Sequence, residues 1–288
     1  MKIIKYNISI MKLINWIDIN NLNWSCLSKN ENSIDLLKAN QDKINWYYLS
    51  LNPNAIHLLK ANQDKINWHY LSQNPNPNAI ELLQANQDKI NWYYLSLNPN
   101  AIDLLQENQD KIIWHYLSQN PNAIEILENN KDKINWCCLS INLNAIHLLQ
   151  ENQNEINWSM LSKNPNAIHL LEANQDKINW FNLSLNPNPN AIELLEANPD
   201  KINWRCLSLN PNAIDLLKAN QDKINWEDLS QNPNAIEILE NNKDKIDWHY
   251  LSINPNAIDL LEVNQDKIHW YNLSANPNIF EFNGYLLK

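Results

Sequence analysis

Histidine, cysteine, serine and the carboxylates carry the chemical potential of this chain, and their spacing limits what they can do. His147 and His169 stand at the same point of two successive copies of a recurring motif. Stacked copies would hold them about 10 Å apart, whereas a zinc ion needs its ligands about 2 Å from one point. A serine follows leucine in copy after copy, as Ser50, Ser72 and Ser96 do. None has a base beside it in sequence, so it reads as a packing or capping residue and not a nucleophile. Carboxylate-pair hydrolysis needs one distinctive pair in a cleft. Glu81, Asp103, Glu125, Glu193, Asp215, Glu237 and Asp259 instead repeat one group in one slot, a solvated acidic column. A phosphate-cradling loop needs glycines, and the chain has one, Gly284. Cys26, Cys138 and Cys206 share a repeat position, with Cys137 beside the second. That is positional tolerance, not a disulfide framework, and it fits a reducing compartment. The expectation is a protein without catalytic residues, bound metal or cofactor: not an enzyme.

The elements that would position any site repeat like a clock. Beginning at Trp24, tryptophan recurs as Trp46, Trp68, Trp92, Trp114, Trp136, Trp158, Trp180, Trp204, Trp226, Trp248 and Trp270, in steps of 22 residues with two of 24. The recurring phrase is Lys-Ile-Asn-Trp-x-x-Leu-Ser-x-Asn-Pro-Asn-Ala-Ile-x-Leu-Leu-x-x-Asn-x-Asp. A fixed period of this length means stacked supersecondary units that bury a continuous core only together. The chain therefore divides into an N-terminal capping segment (1–22), a twelve-repeat array (23–278) and a C-terminal cap (279–288). Trp16, Ile17 and Ile14 serve one cap, and Phe280, Phe282, Tyr285 and Leu286 the other.

Each repeat reads as two short helices. Trp68, Leu71 and Ser72 lie at i, i+3 and i+4, one helical face. Asn67 is the natural N-cap, with Ile66 and Leu71 as a staple; Asp64 is a rival cap. The helix ends before Asn-Pro, because a residue preceding proline avoids the α region. A second helix opens with Asn as cap and proline in its first turn, carries Ile56 and Leu59, and closes at Asn62, a residue that tolerates the left-handed conformation. The fold class is all-α: an α-solenoid of twelve two-helix repeats, elongated or curved. Two inserted Asn-Pro pairs, at 74–77 and 186–189, lie 112 residues apart, and the sequence 122–133 recurs at 234–245. A block of five repeats was copied whole.

This alternation of short helix, Asn-Pro turn and second helix is similar to leucine-rich variant repeats. The phrase at residues 43–59, with its lead-in at 13–17 and its exit at 276–280, more closely resembles the Asn- and Ile-rich repeat proteins of giant, mimivirus-like DNA viruses. That resemblance implies an α-solenoid and a viral origin, and no assigned activity.

Composition narrows the partners. Net charge is −10 with a single arginine, Arg205. Nucleic-acid binding needs a basic face, and anionic membranes are disfavoured by the same argument. No apolar run is long enough to span a bilayer, and no clean signal-peptide core opens the chain. An intracellular protein is expected, in host cytoplasm or virion.

Comparing repeats separates constant from variable positions. Trp46, Trp68, Trp92, Trp114, Trp136, Trp158, Trp180, Trp204, Trp226 and Trp248, with the leucine three residues on and the Ile-x-Leu-Leu group, scarcely vary and form the expected core. The two residues after each tryptophan vary freely: Tyr47 and Tyr48, His69 and Tyr70, Tyr93 and Tyr94, His115 and Tyr116, Phe181, Arg205, His249 and Tyr250. So does the fifth, for example Leu51 and Gln73. First and fifth share a stripe away from the core. Exposed aromatics are a liability without a partner, and tyrosine is an efficient contact residue. The leading expectation is a monomeric, non-enzymatic scaffold for an unidentified viral or host protein. The alternatives are a structural, self-assembling particle component, or an adaptor, which would need a docking domain that the 22 residues before the first repeat are too few to supply. Asparagines at fixed slots read structurally, as side-chain ladders along the array.

Overall fold

The computed structural model describes residues 7–287, with side chains described for residues 11–282. Among these, twenty-three α-helices follow one another with a 22-residue rhythm, and the only sheet has two strands. The all-α repeat solenoid is therefore the architecture. In the second repeat the Trp helix is Trp46–Leu49, a 3-10 turn Pro53–Ala55 leads into an outer helix Ile56–Ala61, and a further 3-10 turn Gln63–Lys65 returns the chain to the next Trp helix.

Asparagine explains why such short helices hold. Asn67, not Asp64, caps its helix: the side chain accepts the Tyr70 N–H at 3.0 Å, while Asp64 sits in the preceding 3-10 turn. The outer helix ends differently from expectation. Asn62 has φ −137° and ψ 54°, outside the left-handed region, and its side-chain amide caps the Leu58 carbonyl at 3.0 Å. A side chain thus replaces the backbone motif that a left-handed residue would make.

Between repeats the bonds form two ladders. The Asn52 side-chain oxygen accepts the Asn54 N–H at 2.9 Å, closing its own turn. The same amide donates to the Ser28 and Asn30 carbonyls of the previous repeat, at 3.2 and 2.9 Å. A carboxamide accepts on one terminal atom and donates from the other; aspartate has no donor, and a serine hydroxyl lacks the reach. Asn54 adds a parallel bond to the Glu31 carbonyl at 3.0 Å. The motif serine ties the Trp helices together: Ser50 donates to the Trp46 carbonyl at 2.8 Å and accepts the Asn67 N–H of the next repeat at 2.9 Å. Both Ser50 and Asn52 are fully buried, so these bonds meet needs that water cannot.

The leucines are the centre of the core: Leu49, Leu59, Leu71 and Leu83 are wholly inaccessible. The tryptophans expected there, Trp46 to Trp248, are instead half-buried at its margin. Helices of four to six residues cannot enclose an indole. Its open face is covered by the lysine of the following repeat, as Lys65 Nζ covers Trp46 at 4.7 Å and Lys89 covers Trp68 at 4.6 Å. The arrangement combines cation–π attraction with burial of the lysine stem. Trp136 is an exception in sequence, because Glu155 occupies the lysine slot.

The array is not open. Asn23 N–H donates to Ser274 Oγ at 2.8 Å, and the Asn30 amide donates to the Ser274 and Asn276 carbonyls at 3.4 and 2.9 Å. Asn32 completes the second ladder on Pro277 O at 2.9 Å. These are the bonds of every internal junction, made between the last repeat and the first. Twelve equal steps therefore close a ring, turning about 30° each. The segments expected to cap two separate ends pair with each other: β1 (Asn7–Leu13) runs antiparallel to β2 (Phe280–Leu287), with Leu13 opposite Phe280. Side chains of Tyr285 and Leu286 lie outside the described residues. Eleven repeats carry an outer helix, and this two-stranded sheet, packed on the outer helix Ile34–Ala39, fills the twelfth place. The total accessible surface is 14803 Å². A compact globule of this mass would expose about 12,700 Å², so the excess agrees with a ring.

The inserted pairs leave the ring undisturbed. Asn74 and Asn76 keep both ladders, and the extra Pro77 and Asn78 merge turn and helix into one eight-residue helix, Pro77–Gln84. Pro189–Glu196 repeats the solution.

Candidate binding surface

Side chains on or just after the Trp helices of four successive repeats, among them Ile253, Tyr271, Cys26 and Tyr48, converge on one cleft. The Trp layer is therefore the inner wall. Charge on Lys163 is felt at Cys206, two repeats on, as a concave face requires. The variable positions one and five after each tryptophan face the opening, with the second position beside them and buried in several repeats. Helix axes about 8–10 Å apart put the inner layer on a circle of radius about 15–19 Å, and helices about 10–12 Å thick then leave an opening about 20–25 Å wide.

The variable residues are not an independent row. In most repeats the first position leans on the second position of the next. Tyr47 meets Tyr70 with ring centroids 4.2 Å apart, His69 meets Tyr94 at 4.5 Å, and Tyr93 meets Tyr116 at 3.7 Å. The same register pairs His115 Nε2 with Cys138 Sγ at 3.4 Å and Arg205 Nε with Asp228 at 3.0 Å. Tyr47, His69, Tyr93, His115, Phe181 and Arg205 are exposed, whereas Tyr70, Tyr94 and Tyr116 are half-covered by them. Asn182, Cys206 and Asp228 are buried outright. What sequence presented as one free stripe is thus an exposed row resting on a covered row.

These contacts set the acidities. The Tyr47 hydroxyl, as hydrogen-bond partner, pushes Tyr70 up to about 12, with burial adding to it. Tyr93 does the same to Tyr116, again to about 12. Burial pushes the Cys138 thiol up, away from the thiolate that a nucleophile would need. Among the described residues no three His, Cys, Asp or Glu side chains gather to hold a metal. His147 instead meets Glu128 at 2.9 Å and His169 meets Glu172 at 3.2 Å.

Closure rearranges the expected site. His249 and Tyr250, far from Tyr47 in sequence, lie two repeats from the first repeat across the seam. Tyr271, not singled out above although it occupies the same slot as Tyr47, hydrogen-bonds Cys26 across that seam. His269 was also missed, because it sits in the capping-asparagine slot; its ring lies 4.1 Å from that of His249. The aromatics form one arc from repeat 11 through the seam to repeat 5, and eight of the ten tyrosines lie on it. Phe181 stands outside the arc, as does the Arg205 pair. The lining carries three cations, Lys29, Lys163 and Arg205, against Glu227 and Asp228, in a chain of net charge −10. The acidic excess is therefore borne outside the lining. Exposed acidic-slot residues pair there across repeats, as Lys60 with Glu81 at 2.8 Å and Lys218 with Glu237 at 2.6 Å.

No protein-family model matches the chain, no curated protein matches it in sequence, and no solved structure matches it. No helix among the described residues is long and apolar enough to cross a membrane.

Proposed function

We propose that this protein is a non-enzymatic binding ring that holds a polypeptide segment of a partner against the aromatic arc of its opening. The observation that carries the reading is the concentration of eight tyrosines and three histidines on one arc, interrupted at repeat 1, of an inner lining whose charges nearly cancel. Aromatic side chains give large contact area at small entropic cost. An opening about 20–25 Å wide admits a helix about 10–12 Å across, or an extended chain. The motif serines are engaged in the ladders, which leaves them structural and not nucleophilic. The resemblance to giant-virus repeat proteins supports a viral source, with a viral or host partner in host cytoplasm or virion. The structural, self-assembling alternative is less favoured, since the first and last repeats cover each other's stacking faces and leave none for end-to-end growth.

Two multi-site variants test the reading. One changes Tyr47, His69, Tyr93 and His115 to Ser; the other changes Glu81, Asp103, Glu125 and Asp215 to Asn or Gln. All eight positions are exposed, so both variants should fold. Quantitative capture of partners should collapse in the first, because a few aromatic anchors carry most of the binding energy. In the second it should change mainly in rate and salt dependence. The reverse pattern would move the binding face to the outer wall, and no change in either would leave the structural reading.

A further inference from the structure

The aromatic lining steps back at the seam. Repeat 1 carries Ser25 and Cys26 where repeat 2 carries Tyr47 and Tyr48. Repeat 12 carries Ala275 where repeats 2, 4, 8 and 9 carry Leu51, Leu97, Leu185 and Leu209. These small side chains leave a half-open cleft of about 580 Å³, drawn from four successive repeats of the closed ring. The volume falls within the roughly 300–1,000 Å³ of small-ligand sites.

Tyr271 of repeat 12 and Tyr48 of repeat 2 line it from either side of repeat 1, which contributes Cys26, and Ala275 and Ile253 add apolar lining. Both tyrosines keep free surface, 37% and 57% of their area. Burial pushes the Cys26 thiol up, and its hydrogen bond to Cys26 pushes the Tyr271 hydroxyl up. Both groups stay protonated at neutral pH, so they add no charge. Lys29 and Glu31, the charged residues of the lining, have opposite signs. The cleft thus has flat flanks, an apolar middle and no net charge.

We infer that this seam cleft is the anchor pocket of the ring, receiving one uncharged aromatic side chain of a partner polypeptide. The inference rests on the binding role proposed above. A flat ring between two tyrosines gains edge-to-face or offset contacts that an aliphatic group does not. Interfaces concentrate their energy where such a side chain fills a desolvated pocket. The position fits as well: repeats 11 and 12 lie on one side and repeats 2 to 5 on the other, so a segment anchored here meets aromatics in both directions.

The test uses the whole protein and a fluorinated N-acetyl-tryptophanamide, an uncharged aromatic probe followed by fluorine NMR. The wild-type ring binds it saturably. Ala275→Leu and Cys26→Tyr weaken binding by about tenfold or more. Both introduce residues that other repeats already hold in the same slot, and Cys26→Tyr would recreate with Tyr271 the pair seen in Tyr47 and Tyr70, so the ring survives. Gln231→Leu, the matching change on the other arc, leaves binding intact. Absence of saturable binding, or binding indifferent to the seam variants, overturns the pocket. The seam residues are not among the eight changed above, so the two readings fail separately. A ring that captures partners through the arc yet ignores the probe loses the pocket alone. A ring that binds the probe while the arc variant captures partners normally loses the polypeptide occupant.

Discussion

The side-chain amide of Asn30 donates to the carbonyl of Asn276 at 2.9 Å across 246 positions of sequence, repeating the bond that Asn52 makes to Asn30 across 22. A repeat array whose last junction equals its internal ones has no terminal unit to fray. Asn30→Ala should therefore cost as much as Asn164→Ala in mid-array, about 1–3 kcal/mol for stranding buried carbonyls. Hydrogen exchange should protect the amides of Trp24–Lys29 and Trp270–Ala275 as well as those of Trp158–Leu161. Graded loss of protection toward both ends would instead describe an open solenoid.

Closure also fixes the shape in solution. A compact globule of this length would have a radius of gyration of about 19 Å. Inner helices on a circle of about 15–19 Å radius, with a second helical layer about 10 Å outside, raise that to about 22–25 Å. Small-angle scattering should give this value with the distance distribution of a hollow ring. A rod-like distribution would contradict the seam.

The unit was legible in the sequence and the assembly was not. Leu49, Leu59 and the capping Asn67 follow from local periodicity and capping chemistry, which act within a few residues. The asparagine ladders were readable in part: recurrence at one slot implied a ladder, but each side-chain amide bonds main-chain carbonyls of the preceding repeat and not its own copy. Ring closure depends on a rotation of about 30° per repeat, a small angle that no single side chain encodes. The pairing of Tyr47 with Tyr70 depends on the stagger between adjacent Trp helices, so the covered row was mistaken for free surface. Strands Asn7–Leu13 and Phe280–Leu287 each lack a neighbour in sequence, and only closure brings them together. Trp46 looked like core because it never varies; its constancy reflects the lysine above it as much as the leucines below.

That lysine gives a sharper test of tryptophan's role. Trp136→Ala should cost about 1.5–3 kcal/mol, roughly half the value for a fully buried aromatic. Exchange protection should fall first in the flanking repeats. Glu155→Lys should supply the missing cation, adding about 0.5–1 kcal/mol and raising the melting temperature by about 1–2 °C. The gain should disappear in the Trp136→Ala background, since the two residues act only as a pair. A gain that persisted there would trace to net charge and not to the indole.

The tyrosine pairs predict how the ring answers alkaline pH. Tyr70 and Tyr116 are held up to about 12, first by hydrogen bonds to Tyr47 and Tyr93 and then by burial. In the unfolded chain each would ionise near about 10. A raised pKa means that the folded state keeps its proton to higher pH, so folding is favoured fully below pH 10. Above that, the unfolded chain releases protons that the folded ring retains, and stability falls until the folded groups ionise near pH 12. Melting temperature should therefore drop between pH 10 and 12. The drop should be smaller in the Tyr47→Phe, Tyr93→Phe double variant, whose Tyr70 and Tyr116 lose their hydroxyl partners. Tyrosinate absorbance should show the same residues, as a component titrating near pH 12 in the wild type that shifts toward 10 in the double variant. Identical titrations for the two proteins would mean that these hydroxyl contacts do not persist in solution, and the covered row of the arc would lose its assigned geometry.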